Sequence, residues 1–233
     1  MGISCYFHDS SAVIVQDGNL ICAAEEERFS RKKHDFGFPE KAIEFCLEKS
    51  GIKASEIDYV VFFEKPFLKF ERILKSVIST FPKSSKVFIQ GMRAWALDKL
   101  WVKNKIVSFL EIDPKKIKFS EHHLSHAASS YLCSPFNDSA IVTFDGVGEW
   151  ASTTISKGSE NKINLIKEIH FPHSIGLLYS AFTAFLGFEV NEGEYKVMGM
   201  APFGEPKYSN KIKEMLKIFD DGSFWLDMSF FSF

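Results

Sequence analysis

"SAIVTFDGVGEWASTTIS", residues 139–156, runs an apolar segment into an acidic, glycine-rich turn and out into a β-branched segment. The pattern predicts a strand, a tight turn on Asp145, Gly146 and Gly148, and a second strand. "KINLIKEIHF" (162–171) follows as a third strand and "SIGLLYSAFTAFLGF" (174–188) as a helix. The same order opens the chain. "ISCYF" (3–7), the polar turn "HDSS" (8–11), "SAVIVQ" (11–16), the dipeptide Asp17-Gly18 and "NLICAAEEE" (19–27) read as a three-stranded meander. A helix follows in "PEKAIEFCLEKSGI" (39–52), with proline at its start and Gly51 at its stop. The repetition is one of pattern, not identity. It predicts a duplicated α/β architecture, with a first lobe over 1–138 and a second over 139–233. Each lobe's first hairpin is expected to face a cleft between the lobes.

Between the two copies, "IDYVVFFE" (57–64) reads as a strand buried on both faces, since it lacks alternation. In the first helix Ala42, Ile43, Phe45, Cys46 and Leu47 form a broad inward face. Residues 66–110 read as helical, "KIKFSEH" (116–122) as a strand, and "EHHLSHAASSYL" (121–132) as part of a helix ending near Pro135. The second copy is unfinished: the aromatic tail "DGSFWLDMSFFSF" (221–233) ends on an apolar stretch with nothing to cover it. The chain is therefore expected to be the N-terminal piece of a longer protein.

Composition narrows the function classes. With 233 residues and a net charge of −2, the chain has no electrostatic footprint for nucleic acid. No window is apolar for long enough to span a bilayer, and the start "MGISCYFHDS", without a basic region and a long apolar run, is not expected to be a signal peptide. The four cysteines are scattered without a CxxC pair, which favours buried thiols in a reducing cytoplasm. The 25 phenylalanines predict a core thick with aromatic rings.

His122 and His126 stand four apart, the spacing at which two helical imidazoles share one metal ion. HxxxH alone is weak, because such pairs arise freely at solvated helix starts. Asp145, at the C-terminal tip of a buried strand, adds a carboxylate where ligands bind in open α/β sheets, although taken alone an Asp-Gly turn is the favoured account of it. Two imidazoles and a carboxylate suit Fe(II) or Zn(II) with coordination positions left open. Gly146 and Gly148 form either a plain β-turn or one where backbone N–H groups approach a phosphate, and Gly176 lies at a helix start, where N–H groups favour an anion. "NEGEYKVMGMAPFG" (191–204) reads as a loop. His8 and Asp9 sit on the first hairpin, where His8 is either a general base or a turn histidine bonded to backbone. The run "EEERFSRKKHD" (25–35) is either a solvated face or the source of a cation, Arg28, Arg31 or Lys33, for an anionic substrate.

Taken together, "YFHDSSAVIVQDG", "AAEEERFSRKKHD", "HHLSHAAS", "VTFDGVGEW", "HSIGLLYSAFTAFLGF" and "EGEYKVMGMAPFG" resemble, in order over residues 5–204, the family of nodulation-factor and tobramycin-type O-carbamoyltransferases. The resemblance implies an actin/hexokinase/Hsp70-like (ribonuclease H-like) fold of duplicated lobes, the second incomplete here. It implies ATP and carbamoyl phosphate as substrates, a carbamoyl adenylate between them, and transfer of the carbamoyl group to a hydroxyl of a small-molecule acceptor. A C-terminal adenylate-forming domain, missing from this chain, would make the adenylate. By motif position the metal ligands would be His122, His126 and Asp145, with iron the expected ion and zinc or manganese the alternatives. The family's further aspartate ligand would fall beyond Phe233. His8 would take the acceptor's hydroxyl proton and Lys33 would hold the carbamoyl or phosphate group. Asp145, Gly146, Gly148, Gly176, Gly193, Lys196 and Gly199 would line the nucleotide pocket.

Two rival readings remain open on the residues alone. One is a non-catalytic fragment that binds metal or nucleotide and turns nothing over. The other is an ATP-binding scaffold or sugar-kinase-like enzyme of the same fold.

Overall fold

The computed structural model describes residues 1–82 and 99–231, in two compact units, Met1–His122 and His123–Phe233. Much of the helix expected between residues 66 and 110 falls at 83–98, outside the described residues.

In the first unit, strands β1 (Gly2–Ser4), β2 (Ser11–Gln16) and β3 (Asn19–Glu25) form the expected antiparallel meander. After a single helical turn, α1 (Glu27–Ser30), and helix α2 (Glu40–Ser50), strands β4 (Val60–Phe62) and β5 (Ile117–Phe119) extend the sheet in parallel. The sheet order is β3-β2-β1-β4-β5, so the first hairpin loop lies at the end of a central strand. Helices α3 (Pro66–Thr80) and α4 (Val102–Leu110) belong to the same unit.

α2 forms where its end signals place it. Glu40 and Lys49 match the helix dipole, and Gly51, at φ +70°, turns its N–H back to Leu47 and Glu48. Its N-terminus is capped from a distance: the buried Glu26 carboxylate accepts from the Ala42 N–H at 2.8 Å. Ala42, Ile43 and Cys46 pack into the core with Ile3, Ile14, Val60, Phe62 and Ile106. Each large side chain buried this way contributes about 1.5–3 kcal/mol.

Three expectations need correction. Phe45 is 36 % exposed, so the inward face of α2 is narrower than the sequence suggests. β4 does alternate: Val60 and Phe62 are buried while Val61 points outward, so only one of its faces is covered. Among the described residues fully buried aromatics are also fewer than expected, although Phe29, Phe38, Phe63, Phe109 and Phe119 pack against the core while partly buried. Phe62 and Phe224 are buried, but Phe185 and Phe203 are 84 % and 92 % exposed.

The second unit carries an antiparallel sheet of β6 (Asp138–Phe144), β7 (Ala151–Ser159) and β8 (Lys162–His170), in that order. Helix α5 (His122–Tyr131) begins at the boundary residue and packs on this sheet through Ala127, Tyr131 and Ile141. The Tyr131 hydroxyl donates to the carbonyls of Asn137 (2.6 Å) and Glu160 (2.9 Å). Residue 158 has to be glycine here, since a Cβ would lie 2.6 Å from the Tyr131 ring. Helix α6 (Ile175–Phe185) follows, N-capped by Ser174, whose Oγ accepts from the Leu177 N–H at 3.0 Å.

Residues 191–204, read from sequence as a loop, contain helix α7 (Glu194–Met200) and a 3-10 turn at Ala201–Phe203. Its start is fixed by Glu194, whose carboxylate accepts from the Ser180 hydroxyl (2.8 Å) and the Asn191 N–H (3.1 Å). Helix α8 (Ser209–Met215) leads into a hairpin of β9 (Leu216–Ile218) and β10 (Phe224–Leu226). Among the described residues no helix is long and apolar enough to cross a membrane.

Candidate metal centre and hairpin loop

His122 and His126 lie one turn apart at the start of α5, and Asp145 ends β6. Each offers a ligand atom, and these atoms lie within 4.8 Å of one another. His126 Nε2 and Asp145 Oδ2 are 3.8 Å apart. That is too far for a hydrogen bond, yet it suits two ligands each about 2.0–2.2 Å from a shared ion. Asp145 is oriented for this role, because its Oδ1 accepts from the Gly146 N–H at 2.6 Å while Oδ2 faces His126. The donor set of two imidazoles and one carboxylate therefore fits a divalent metal of the Fe(II) or Zn(II) kind.

The third histidine of the cluster does different work. His123 is buried, with Nδ1 2.6 Å from the Thr143 hydroxyl and Nε2 2.9 Å from the Ala151 carbonyl. Thr143 in turn bonds to Thr154 at 2.6 Å. His123 thus pins the first turn of α5 to β6 and β7, which fixes where His126 stands relative to Asp145.

A second set of contacts holds the turn after Asp145. The Ser174 hydroxyl donates to the carbonyls of Asp145 (3.1 Å) and Gly146 (2.6 Å). A Cβ on Gly176 would lie 2.4 Å from the Asp145 carbonyl oxygen, so only glycine lets the α6 N-terminus come this close. The Gly148 N–H closes the hairpin onto the Ala151 carbonyl at 2.9 Å. Gly193 is buried against the Glu189 carbonyl and Phe188, Gly199 faces open space, and Lys196 is exposed above the Tyr195 ring.

In the first unit, His8 lies exposed on the loop after β1, and Lys33 is exposed on the loop after α1 with no carboxylate partner among the described residues. The two loops are joined. Tyr6 N–H donates to the Phe36 carbonyl (2.7 Å) and Ser10 N–H to that of Asp35 (2.8 Å). Asp9 bonds to His8 Nδ1 and to His34 Nδ1, both at 2.9 Å. The charged run 25–35 is therefore not simply a solvated face. Glu26 caps α2, Glu27 accepts from the His34 N–H at 3.0 Å, and Arg28 is taken up by Glu25 (3.1 Å) and Glu27 (3.4 Å).

Sequence reasoning passed over His34, Ser174 and Glu64. Ser174 carried a readable signal, a serine immediately before an apolar helix. Glu64, buried beside Lys69 at 2.5 Å, carried none beyond its place at the end of an apolar run.

Comparison with known proteins gives the site its setting. A family model described as the carbamoyltransferase N-terminus matches residues 1–233. An uncharacterized protein of Synechocystis sp. is 48% identical over 241 residues, covering 100% of this chain and 39% of the relative. Nodulation protein NolNO of Sinorhizobium fredii is 34% identical over 224 residues, covering 94% of this chain and 31% of its own length. The chain thus spans between about three-tenths and two-fifths of the length of these two curated relatives. Matched from its first residue to its last, the chain belongs to the carbamoyltransferase family, as its N-terminal part.

Proposed function

We propose that this chain is the transfer portion of an ATP-dependent O-carbamoyltransferase acting in the cytoplasm. Carbamoyl phosphate, water and ATP give carbamoyl adenylate on an adenylate-forming domain, with release of phosphate and pyrophosphate, and the carbamoyl group passes to a small-molecule hydroxyl. The observation that carries the reading is the gathering of His122, His126 and Asp145 in a chain matched throughout by the carbamoyltransferase family. A meander followed by a helix in each unit supports a fold of the duplicated actin/hexokinase/Hsp70 kind.

In the transfer step the acceptor oxygen forms a bond to the carbamoyl carbon. The bond from that carbon to the phosphate oxygen breaks, and AMP leaves with the electron pair. His8 takes the hydroxyl proton as the oxygen attacks, a role suited to an exposed imidazole. Lys33 presents its ammonium to the carbamoyl or phosphate oxygens, and its exposure suits that task. A divalent ion, iron first and zinc or manganese as alternatives, held by His122, His126 and Asp145 would offset phosphate charge. Gly146 and Gly148, with Gly176, Gly193, Lys196 and Gly199, line the nucleotide side of the site.

The test uses the protein isolated from its source, supplied with ATP and carbamoyl phosphate. Release of pyrophosphate that depends on carbamoyl phosphate, with carbamoyl label passing to a hydroxyl compound, is the expected result. Pyrophosphate release without carbamoyl phosphate, or none at all, refutes the reading. His8→Asn is expected to stop transfer while the metal content is unchanged.

A further inference from the structure

Asp9 is the hub of a small polar network that the proposed chemistry does not itself require. One carboxylate oxygen, Oδ2, contacts Nδ1 of His8, and the other, Oδ1, contacts Nδ1 of His34, each at 2.9 Å. We propose that Asp9, pinned by His34, is a positioning residue that holds His8 with its proton on Nδ1 and turns Nε2 outward to accept the acceptor's proton. The inference rests on the reading of His8 as the base.

The assignment follows from what each group can donate. An ionised carboxylate only accepts, so both Nδ1 atoms must carry hydrogen. A neutral imidazole protonated on Nδ1 has its lone pair on Nε2, the nitrogen a base needs. Free histidine prefers the opposite tautomer, so an unaided His8 would spend most of its time with the wrong nitrogen protonated. Burial acts to raise the Asp9 carboxyl, but the bonds from His34 and His8 outweigh it and hold the group below its ordinary range.

The backbone indicates that the arrangement is imposed. Asp9 and His34 sit at φ +47° and +54°, a left-handed conformation that non-glycine residues adopt at a cost. The lacing of Tyr6 to Phe36 and Ser10 to Asp35, with Glu27 bonded to the His34 N–H, keeps both residues there. Asp9, Glu27 and His34 also bring ligand atoms within 4.8 Å of one another, but Asp9 Oδ1 and His34 Nδ1 already bond to each other, and Glu27 Oε2 to the His34 N–H. The geometry therefore favours an orienting pair over a second metal site.

The experiment reads the tautomer directly. The chain is labelled with ¹⁵N-histidine and its imidazole correlations are recorded above the histidine titration range, with His8→Asn used for assignment. The wild type is expected to carry the His8 proton on Nδ1. Asp9→Ala moves it mainly to Nε2, His34→Ala gives a mixture, and His34→Asn, which keeps a donor where Nδ1 stood, restores the wild-type pattern. In the transfer assay Asp9→Ala lowers kcat about 10²-fold with KM for carbamoyl phosphate little changed. His34→Ala has a smaller effect, which His34→Asn rescues.

An unchanged His8 tautomer in Asp9→Ala overturns the proposal, whatever the activity. So does stoichiometric binding of added Mn²⁺ or Zn²⁺ that Asp9→Ala and His34→Ala abolish. If the tautomer moves as expected while His8→Asn transfers at the wild-type rate, the base reading has failed and Asp9's part in catalysis falls with it. Failure of the positioning step alone leaves His8→Asn inactive and Asp9→Ala active.

Discussion

Gly176→Ala isolates the contact that holds the α6 N-terminus against the candidate metal site. The added Cβ would lie 2.4 Å from the Asp145 carbonyl oxygen, 2.6 Å from its carbon and 2.7 Å from the Gly146 nitrogen. All three are backbone atoms, so no side chain can swing away. Relief requires about 1 Å of separation between α6 and the turn after β6. Overpacking of this kind costs about 1–3 kcal/mol. The shift also stretches the bonds from Ser174 Oγ to the Asp145 and Gly146 carbonyls, each contributing about 0.5–1.5 kcal/mol. Against these stands the higher helix propensity of alanine, worth up to about 1 kcal/mol at an interior position. The clash wins, for a net loss of roughly 2–3 kcal/mol and a fall in Tm of roughly 4–12 °C.

Thermal melts followed by circular dichroism read the first effect, and titration with Fe(II) or Zn(II) reads the second. Metal affinity is expected to fall about 10–100-fold, because the turn that orients the Asp145 carboxylate has moved. Ser174→Ala is the control: it loses hydrogen bonds without a clash, so it costs about 1–2 kcal/mol and affects metal less. A Gly176→Ala protein that melts within 1 °C of wild type and binds metal equally refutes the close-approach argument.

Within the histidine cluster, His126→Ala should abolish stoichiometric metal with little change in stability, since its ring is half exposed. His123→Ala should retain the metal ligands but cost about 2–3 kcal/mol through the loss of one buried and one part-buried hydrogen bond; the opposite pattern in metal analysis and melts would exchange their roles. On acidification, Asp221 is expected to titrate at about 2, held there by the Ser223 hydroxyl and N–H and by Lys167. Because its folded value lies below the ordinary 3.8, the stability it contributes is present above 3.8 and is lost as pH falls toward 2. A carboxyl-carbon NMR titration of Asp221 with an ordinary midpoint, unmoved by Ser223→Ala, would contradict this.

The two meanders were legible because their evidence is local: short apolar and β-branched runs separated by turn residues specify hairpins without knowledge of the rest of the chain. The helix at 40–50 was legible for the same reason, through Pro39 and Gly51 at its ends. Helix 194–200 was not, because glycines at 193 and 199 and the following Pro202 read as loop composition. Its start is instead set by Ser180 reaching Glu194 across 14 residues. The outward face of β4 was illegible because Val60, Val61 and Phe62 are all apolar, and only the packing separates them. The pair of His122 and His126 could be read from helical spacing, whereas the bond from Asp9 to His34 joins residues 25 apart through two positive φ angles that no local pattern announces.

The two sets of candidate groups differ in how they are held. Around Asp145 the contacts come from sheet and helix: His123 to Thr143, Ser174 to the turn carbonyls, and Gly176 against the backbone. These are buried, rigid attachments, and they suit a metal centre whose ligand spacing must be kept within tenths of an ångström. Around His8 the contacts run from loop to loop, and the histidine itself is exposed. In the proposed role of base His8 has to be accessible to the acceptor, so packing is not available to fix it. What remains is orientation by hydrogen bond, and Asp9, strained and bonded on both oxygens, is the group available to supply it.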